Sequence, residues 1–280
     1  MSEAGNRERA MTSIEGTVLD FKRLDLLATG DSAIHRLDAR AKVLVTLVFI
    51  VSVISFNRYE LTPLLPFFIF PLVMVAQGNL PPGYMLQKVA VVIPFALFVG
   101  IMNPLFDREI MWQAGSIGIS GGWISCISII VRAVLTVGAA LVLVGVSGFP
   151  AICRALERLG VPQAFAVQLH FLYRYIFVLT DEGSRAARAR ELRSFGTSSL
   201  SMKSYSSLLS HLLLKTWQRA ERIHMAMLAR GFNGEFHARQ HAHFGRAEFL
   251  YLFGWSSLFL AMRLGNPSQR IGSYITGMFS

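Results

Sequence analysis

The stretch WISCISIIVRAVLTVGAALVLVGVS, residues 123–147, holds 25 residues and a single charge, Arg132. As a helix it rises about 37 Å, more than the roughly 30 Å of a bilayer's hydrocarbon layer. It is not alone. Uncharged runs also cover 43–57, 61–87, 89–106, 110–131 and 133–153. Only 16% of the 280 residues are charged against a usual quarter, 53% are hydrophobic, and mean hydropathy is +0.47. That excludes a disordered or fibrous chain and predicts an all-α, polytopic membrane protein.

Charge orients it. The net charge of +10 is concentrated in residues 154–246, which carry 14 Lys/Arg. Excess Lys/Arg beside spans marks cytoplasmic loops, so a bilayer explains it without nucleic acid. Residues 1–10 contain Glu3, Arg7, Glu8 and Arg9 and no apolar run of signal-peptide type, which predicts a cytosolic amino terminus. Cys126 and Cys153 lie about 27 helical residues apart, and no disulfide or cysteine metal site is expected.

Working outward, residues 1–40 form a polar cytosolic segment and 41–147 a four-span region. Its spans are read at about 41–57, 61–77, 88–106 and 123–147. The first is short, but Lys42 and Arg58 can extend it by snorkelling. Gln77 to Gly83 makes a turn, and Gly115, Gly118, Gly121 and Gly122 loosen the link into the fourth span. Arg132 inside that span is either a functional group or a guanidinium snorkelling to the outer interface, and its length favours the second.

Residues 148–245 read as a cytosolic or interfacial helical domain inserted before a last span at 246–264, with 265–280 as tail. Arg154, Glu157 and Arg158 mark a short polar helix ending at Gly160-Val161-Pro162. Residues 163–180 mix Phe165, Leu169, Leu172 and Ile176 with Gln168, His170 and Arg174. Basic flanks at both ends argue against a crossing there and for an interfacial or protein-packed helix. The chain then turns Arg-rich as far as Gly196, and a second helix at 201–230 carries an apolar stripe through Leu209, Leu213 and Trp217.

Neither a phosphate-cradling Gly-Lys-Ser/Thr loop nor a nucleophile elbow occurs, so no ATPase or other enzyme activity is expected of this chain. The apparent scarcity of ionisable groups in the spans argues against an ion-coupled carrier. His237, His241 and His243 have helical metal-ligand spacing but no further Cys or acid to complete a set beyond Glu235 and Glu248, and no metal site is assigned. Two helix ends look alike: Leu192-Arg193-Ser194-Phe195-Gly196 and Ala229-Arg230-Gly231-Phe232. One such end is explained by the helix dipole and a glycine cap. Two in one amphipathic segment favour paired arginine anchors for carboxylates on a partner.

The residues Asp31-Ser32-Ala33-Ile34-His35-Arg36-Leu37-Asp38-Ala39-Arg40-Ala41-Lys42, Ser55 to Leu61, Pro94 to Phe106 and Met227-Leu228-Ala229-Arg230-Gly231-Phe232 resemble the transmembrane T component of energy-coupling factor importers, of the CbiQ type from cobalt systems. The resemblance covers about 30–264. It implies a bacterial or archaeal inner-membrane subunit, associated with cobalamin biosynthesis, that joins two ABC ATPase subunits to a small substrate-capturing membrane subunit.

Under that resemblance Arg230, with Ala229 and Gly231, matches the second ATPase-coupling signature, and Arg193, with Leu192 and Ser194, stands for the first. Arg188 and Arg190 are its alternatives, because Leu-Arg-Ser departs from Ala-Arg-Gly. Leu209, Leu213 and Trp217 are expected to contact the capture subunit. ATP and Mg would be used by the partner ATPases, and no cofactor is expected on this chain. Cobalt is the implied substrate, with nickel close behind. The competing class is a stand-alone channel or carrier.

Overall fold

The computed structural model describes residues 25–57, 61–106, 110–114, 117–193, 202–232 and 245–265. Among these the fold is helical except for one short hairpin. The described chain divides into two compact units, 25–155 with 245–265, and 156–232.

The first unit begins with α1 (Ala33–Arg36) and α2 (Ala39–Ile54). Asp38 starts α2, its Oδ1 accepting the Arg40 N–H at 2.9 Å, which satisfies one of the amide donors that every helix start leaves open. Pro63 and Pro66 each remove a backbone donor, and Thr62–Phe68 closes as a 3-10 helix leading into α3 (Ile69–Gln77). Then come α4 (Pro82–Ala90), α5 (Ile93–Gly100) and α6 (Met102–Phe106). A hairpin of β1 (Ile110–Ala114) and β2 (Ile117–Ser120) pairs Ala114 with Ile117 and Gln113 with Gly118. The long α7 (Gly121–Ser147) follows, α8 (Phe149–Arg158) spans the unit boundary, and α11 (Arg246–Gly265) returns to the first unit.

Several expectations change here. The third apolar helix starts at Pro82 rather than 88, because Pro82 sits in the first turn, where its missing N–H costs nothing. It is broken before Pro94, whose ring cannot follow a continuous helix. The link read as loose contains the β hairpin. Two helical stretches, Pro82–Pro104 taken through its breaks and the unbroken Gly121–Ser147, are long and apolar enough to cross a membrane, while Thr62–Gln77 is apolar but shorter.

The core of this unit is aromatic and built on α2. Phe49 is fully buried, with ring centroids 4.7 Å from Phe70, 5.3 Å from Phe259 and 5.9 Å from Phe67. Helix α7 is the centre against which α2, α3, α4, α5 and α6 pack. Its buried face is rich in small residues: Gly121, Gly122, Ser125, Ser128, Gly138, Ala139 and Gly145. Small residues let helix backbones approach closely where lipid supplies no hydrophobic drive. At the tightest point a Cβ on Gly100 would lie 2.9 Å from Cys126 Sγ. Asn103 Nδ2 donates to Ser125 Oγ at 3.1 Å beside it.

Arg132 has a structural partner. Its guanidinium donates to the Asn57 carbonyl just past the end of α2. From α11, Arg263 donates to the Ser55 carbonyl at 3.0 Å and stacks over the Phe56 ring at 4.4 Å. The last carbonyls of a helix lack intrahelical donors and carry partial negative charge, so cations there are doubly matched. Two helices thus clamp the same end of a third. Arg132→Leu is expected to cost about 1.5–3 kcal/mol, the usual worth of a hydrogen bond to a charged group, and to lower the thermal midpoint in detergent. Arg263→Leu should do the same, and unchanged melting of both variants would show that the clamp contributes nothing.

Candidate functional site

The second unit is built on two long helices, α9 (Gln163–Arg193) and α10 (Met202–Ala229). The stretches read separately at 163–180 and from 181 on are one continuous helix as far as Arg193, α9. Residues 163–193 contain no proline, and Gly183 in mid-helix is tolerated.

The helices are joined at Glu182, which is 8% exposed. Its carboxylate accepts from Arg219 Nη1 at 3.0 Å and forms an ion pair with Lys215, so two cations one turn apart on α10 hold one carboxylate of α9. The hydrogen bond from Lys215, helped by the charges of Lys215, Arg219 and Arg185, holds the Glu182 carboxyl below its ordinary range against the opposing effect of burial. A carboxyl held down in the folded state stabilises the fold above its unfolded value, near 4.3, and loses that contribution as pH falls through its lower folded value. Trp217 lies on the same helix. Its fluorescence is therefore expected to stay constant down to about pH 4.3 and to change only below it, and Glu182→Gln should remove the transition. A transition above that range, or one unaltered in the variant, would contradict the assignment.

Glu182 meets Lys215 and Arg219, whereas the groove beside them is lined on α9 by residues before Glu182, from Ala164 to Leu179, and on α10 by residues that run past Arg219 to Met227. The helices therefore cross in an antiparallel sense. The groove, about 640 Å³, opens between them, lined by Phe171, Leu172, Tyr175, Leu213, Trp217 and Met227 among others. Leu213 is 71% and Trp217 73% exposed on its rim. Leu209, also exposed, lies one turn before them on α10.

The end of α10 is fully described. Gly231 has φ +79°, its N–H donates to Leu228 O at 2.9 Å, and the Phe232 N–H donates to Met227 O at 3.0 Å. This paired closure needs a left-handed residue just past the helix, which glycine adopts without cost. Phe232 and Met227 both line the groove. Arg230 is left exposed at the tip beside Ala229. At the end of α9, Leu192 is 81% exposed and Arg193 is exposed as well. Ser194 lies outside the described residues. Arg193 is eleven residues beyond Glu182, and Arg230 is eleven beyond Arg219. Each arginine thus stands about 16 Å from the crossing, on opposite arms.

His237, His241 and His243 lie outside the described residues. Among the described ones no group of three or more His, Cys, Asp or Glu is placed to hold a metal. Cys126 and Cys153 are buried and unbonded to each other, and burial pushes the Cys153 thiol up, away from the reactive thiolate. Sequence reading missed Glu182. The available signal was an acid inside an Arg-rich helix together with Lys215 and Arg219 at i, i+4 on the next one.

A profile of the CbiQ family, described as cobalt transport protein, matches residues 30–242. The energy-coupling factor transporter transmembrane protein EcfT of Ruminiclostridium cellulolyticum is 25% identical over 219 residues, 73% of this chain and 81% of that protein. The EcfT of Lacticaseibacillus paracasei is 28% identical over 220 residues, 73% of this chain and 83% of its own. That of Bacillus subtilis is 26% identical, covering 78% and 87%. These relatives carry the name of a transporter membrane protein, not of an enzyme. With two helices long and apolar enough to cross a bilayer, the protein is an integral membrane protein. The chain belongs to the CbiQ family of cobalt transport proteins.

Proposed function

We propose that the protein is the energy-coupling transmembrane subunit of an ATP-driven importer of cobalt, with nickel as the second candidate ion. The observation that carries this reading is the pinned hairpin with an exposed arginine on each of two equal arms, in a chain of the cobalt transport family. Two ABC ATPase subunits each receive one arm, Arg230 in one groove and Arg193 in the other. ATP with Mg²⁺ acts in those partners. A small membrane subunit captures the ion and leans on the apolar groove by way of Leu209, Leu213 and Trp217.

The mechanics follow from the geometry. Two tips about 16 Å from a common crossing act as levers. When the ATPases close, they displace the tips relative to each other, and the crossing angle changes. The groove is bounded by the same two helices, so its width changes with that angle, and the capture subunit seated there is tilted. Glu182 keeps the helices from sliding apart during the stroke. The proposed membrane arrangement is five spans, with the amino terminus and the hairpin on the cytosolic side of the inner membrane.

Reconstitution in liposomes tests this. The subunit alone should move no cobalt, and transport should appear only with the ATPase pair, the capture subunit and ATP. Cobalt flux through the isolated chain would instead establish a stand-alone channel or carrier.

A further inference from the structure

Two arginines meet where α2 ends in the first unit. Arg132 and Arg263 donate to backbone carbonyls two residues apart, those of Asn57 and Ser55. A helix end offers about half an elementary negative charge, against two whole positive ones. Among the described residues Arg263 forms no ion pair, spending one N–H on the Ser55 carbonyl and laying its guanidinium over the Phe56 ring. A guanidinium carries five N–H donors, so Arg263 retains donors for a further acceptor. The place is open, since Ser55 and Asn57 are exposed and both arginines are half-buried. In the five-span arrangement proposed above it is the outer end of the spans, the side on which Lys and Arg are normally sparse.

Apolar surface leads away from that charge. Helices α2 and α11 run side by side in the same sense, because Phe49 meets Phe259 and, further on, the Ser55 carbonyl meets Arg263. On α2, Leu47, Val51 and Ile54 are exposed and share one face through their spacing of four and three. On α11, Leu260 and Leu264 are exposed one turn apart, and Leu264 adjoins Arg263. We infer that this end is a binding site for a glycerophospholipid of the outer leaflet, its phosphate held by Arg263 and Arg132 and an acyl chain lying along Leu47, Val51 and Ile54. The inference rests on the five-span arrangement. A phosphodiester brings one full negative charge and two free oxygens, which suit the parallel N–H groups of a guanidinium. Free phosphate would meet the charge and leave the apolar face unused. A carboxylate on a partner subunit is the other class of acceptor, and an exposed apolar face about 10 Å long beside the charge favours the lipid. Such a lipid completes the charge balance of the clamp on α2.

The test is native mass spectrometry of the full chain in detergent, titrated with dioleoylphosphatidylglycerol, with inorganic phosphate and dioleoylglycerol as competitors. One lipid should be held well above the rest, and neither competitor should displace it. Arg263→Gln should weaken its binding about tenfold or more, and Arg263→Lys much less, since an ammonium keeps the charge. Val51→Ala combined with Ile54→Ala leaves both arginines in place and should weaken binding about fivefold, a readout that survives if Arg263→Gln fails to fold. Wild-type retention by Arg263→Gln or by the alanine pair overturns the inference, as does displacement by either competitor. If lipid binding is untouched and Arg263→Gln instead releases the capture subunit, the charge serves a protein carboxylate and the lipid site is refuted. A membrane-impermeant thiol reagent applied to Asn57→Cys checks the arrangement separately. Labelling of whole cells is expected, whereas labelling only of inverted vesicles would sink the five-span reading and the outer-leaflet site with it.

Discussion

Arg230→Glu abolishes cobalt uptake while the protein still inserts and folds. That is the expected result, because the residue is exposed at the tip of α10 and its helix end is closed by the Gly231 and Phe232 amides rather than by its own side chain. The fold loses only the modest dipole match of a cation at a helix end, about 0.3–1 kcal/mol. The proposed contact loses far more. A guanidinium seated against carboxylates in a partner groove is bidentate and desolvated, and breaking such a pair costs about 2–5 kcal/mol, roughly 30- to 5,000-fold in affinity. Charge reversal adds repulsion to that loss. Arg193→Glu should behave alike on the other arm, and Arg230→Lys should recover part of the activity, since an ammonium keeps the charge but not the fork. Normal transport by both reversal variants would leave the arginines as helix ends and nothing more.

The largest effect on the fold itself is expected from Phe49→Ala. The Phe49 ring is fully buried and meets Phe67, Phe70 and Phe259, which come from the 3-10 helix, α3 and α11. Its removal leaves a cavity that three separate elements border, and none can fill it without giving up its own contacts. Phe→Ala changes in well-packed cores cost about 3–5 kcal/mol, through lost contacts and the space left behind. Among helices in lipid the packing part of that cost is the part that survives, because tails are as apolar as the ring. A large drop in thermal midpoint and release of α11 to proteolysis are the expected signs. Phe49→Leu should be much milder, and wild-type stability of Phe49→Ala would show that the aromatic cluster does not hold the unit together.

What the sequence discloses and what it hides divide along a physical line. Local signals read well. The span read at 123–147 is α7 at Gly121–Ser147, the short polar helix before Gly160 is α8, the helix read at 201–230 is α10, and the last helix falls at Arg246–Gly265. Each is written in nearest-neighbour chemistry: apolar run length, a proline, a glycine past a last turn. Gly231 is the clearest case, since a left-handed cap needs a residue without Cβ. Relations between distant residues do not read. Arg132 looks like a functional or snorkelling group because nothing within its own helix shows that the Asn57 carbonyl lies beside it, 75 residues earlier. Glu182 hides for the same reason, its cations lying more than thirty residues on. The third apolar helix begins at Pro82, six residues before the span read at 88, because the Pro81-Pro82 pair, a turn signal by composition, begins a helix when the second proline occupies the first turn.

Purification of the tagged full-length protein from its native membrane in mild detergent, with mass spectrometry of what remains bound, tests the central claim most directly. The account predicts recovery with ABC ATPase subunits and a small metal-capturing membrane protein, and loss of the ATPases from the Arg193→Glu, Arg230→Glu double variant. Recovery of the chain by itself, coupled with cobalt flux when it is placed alone in liposomes, would contradict it.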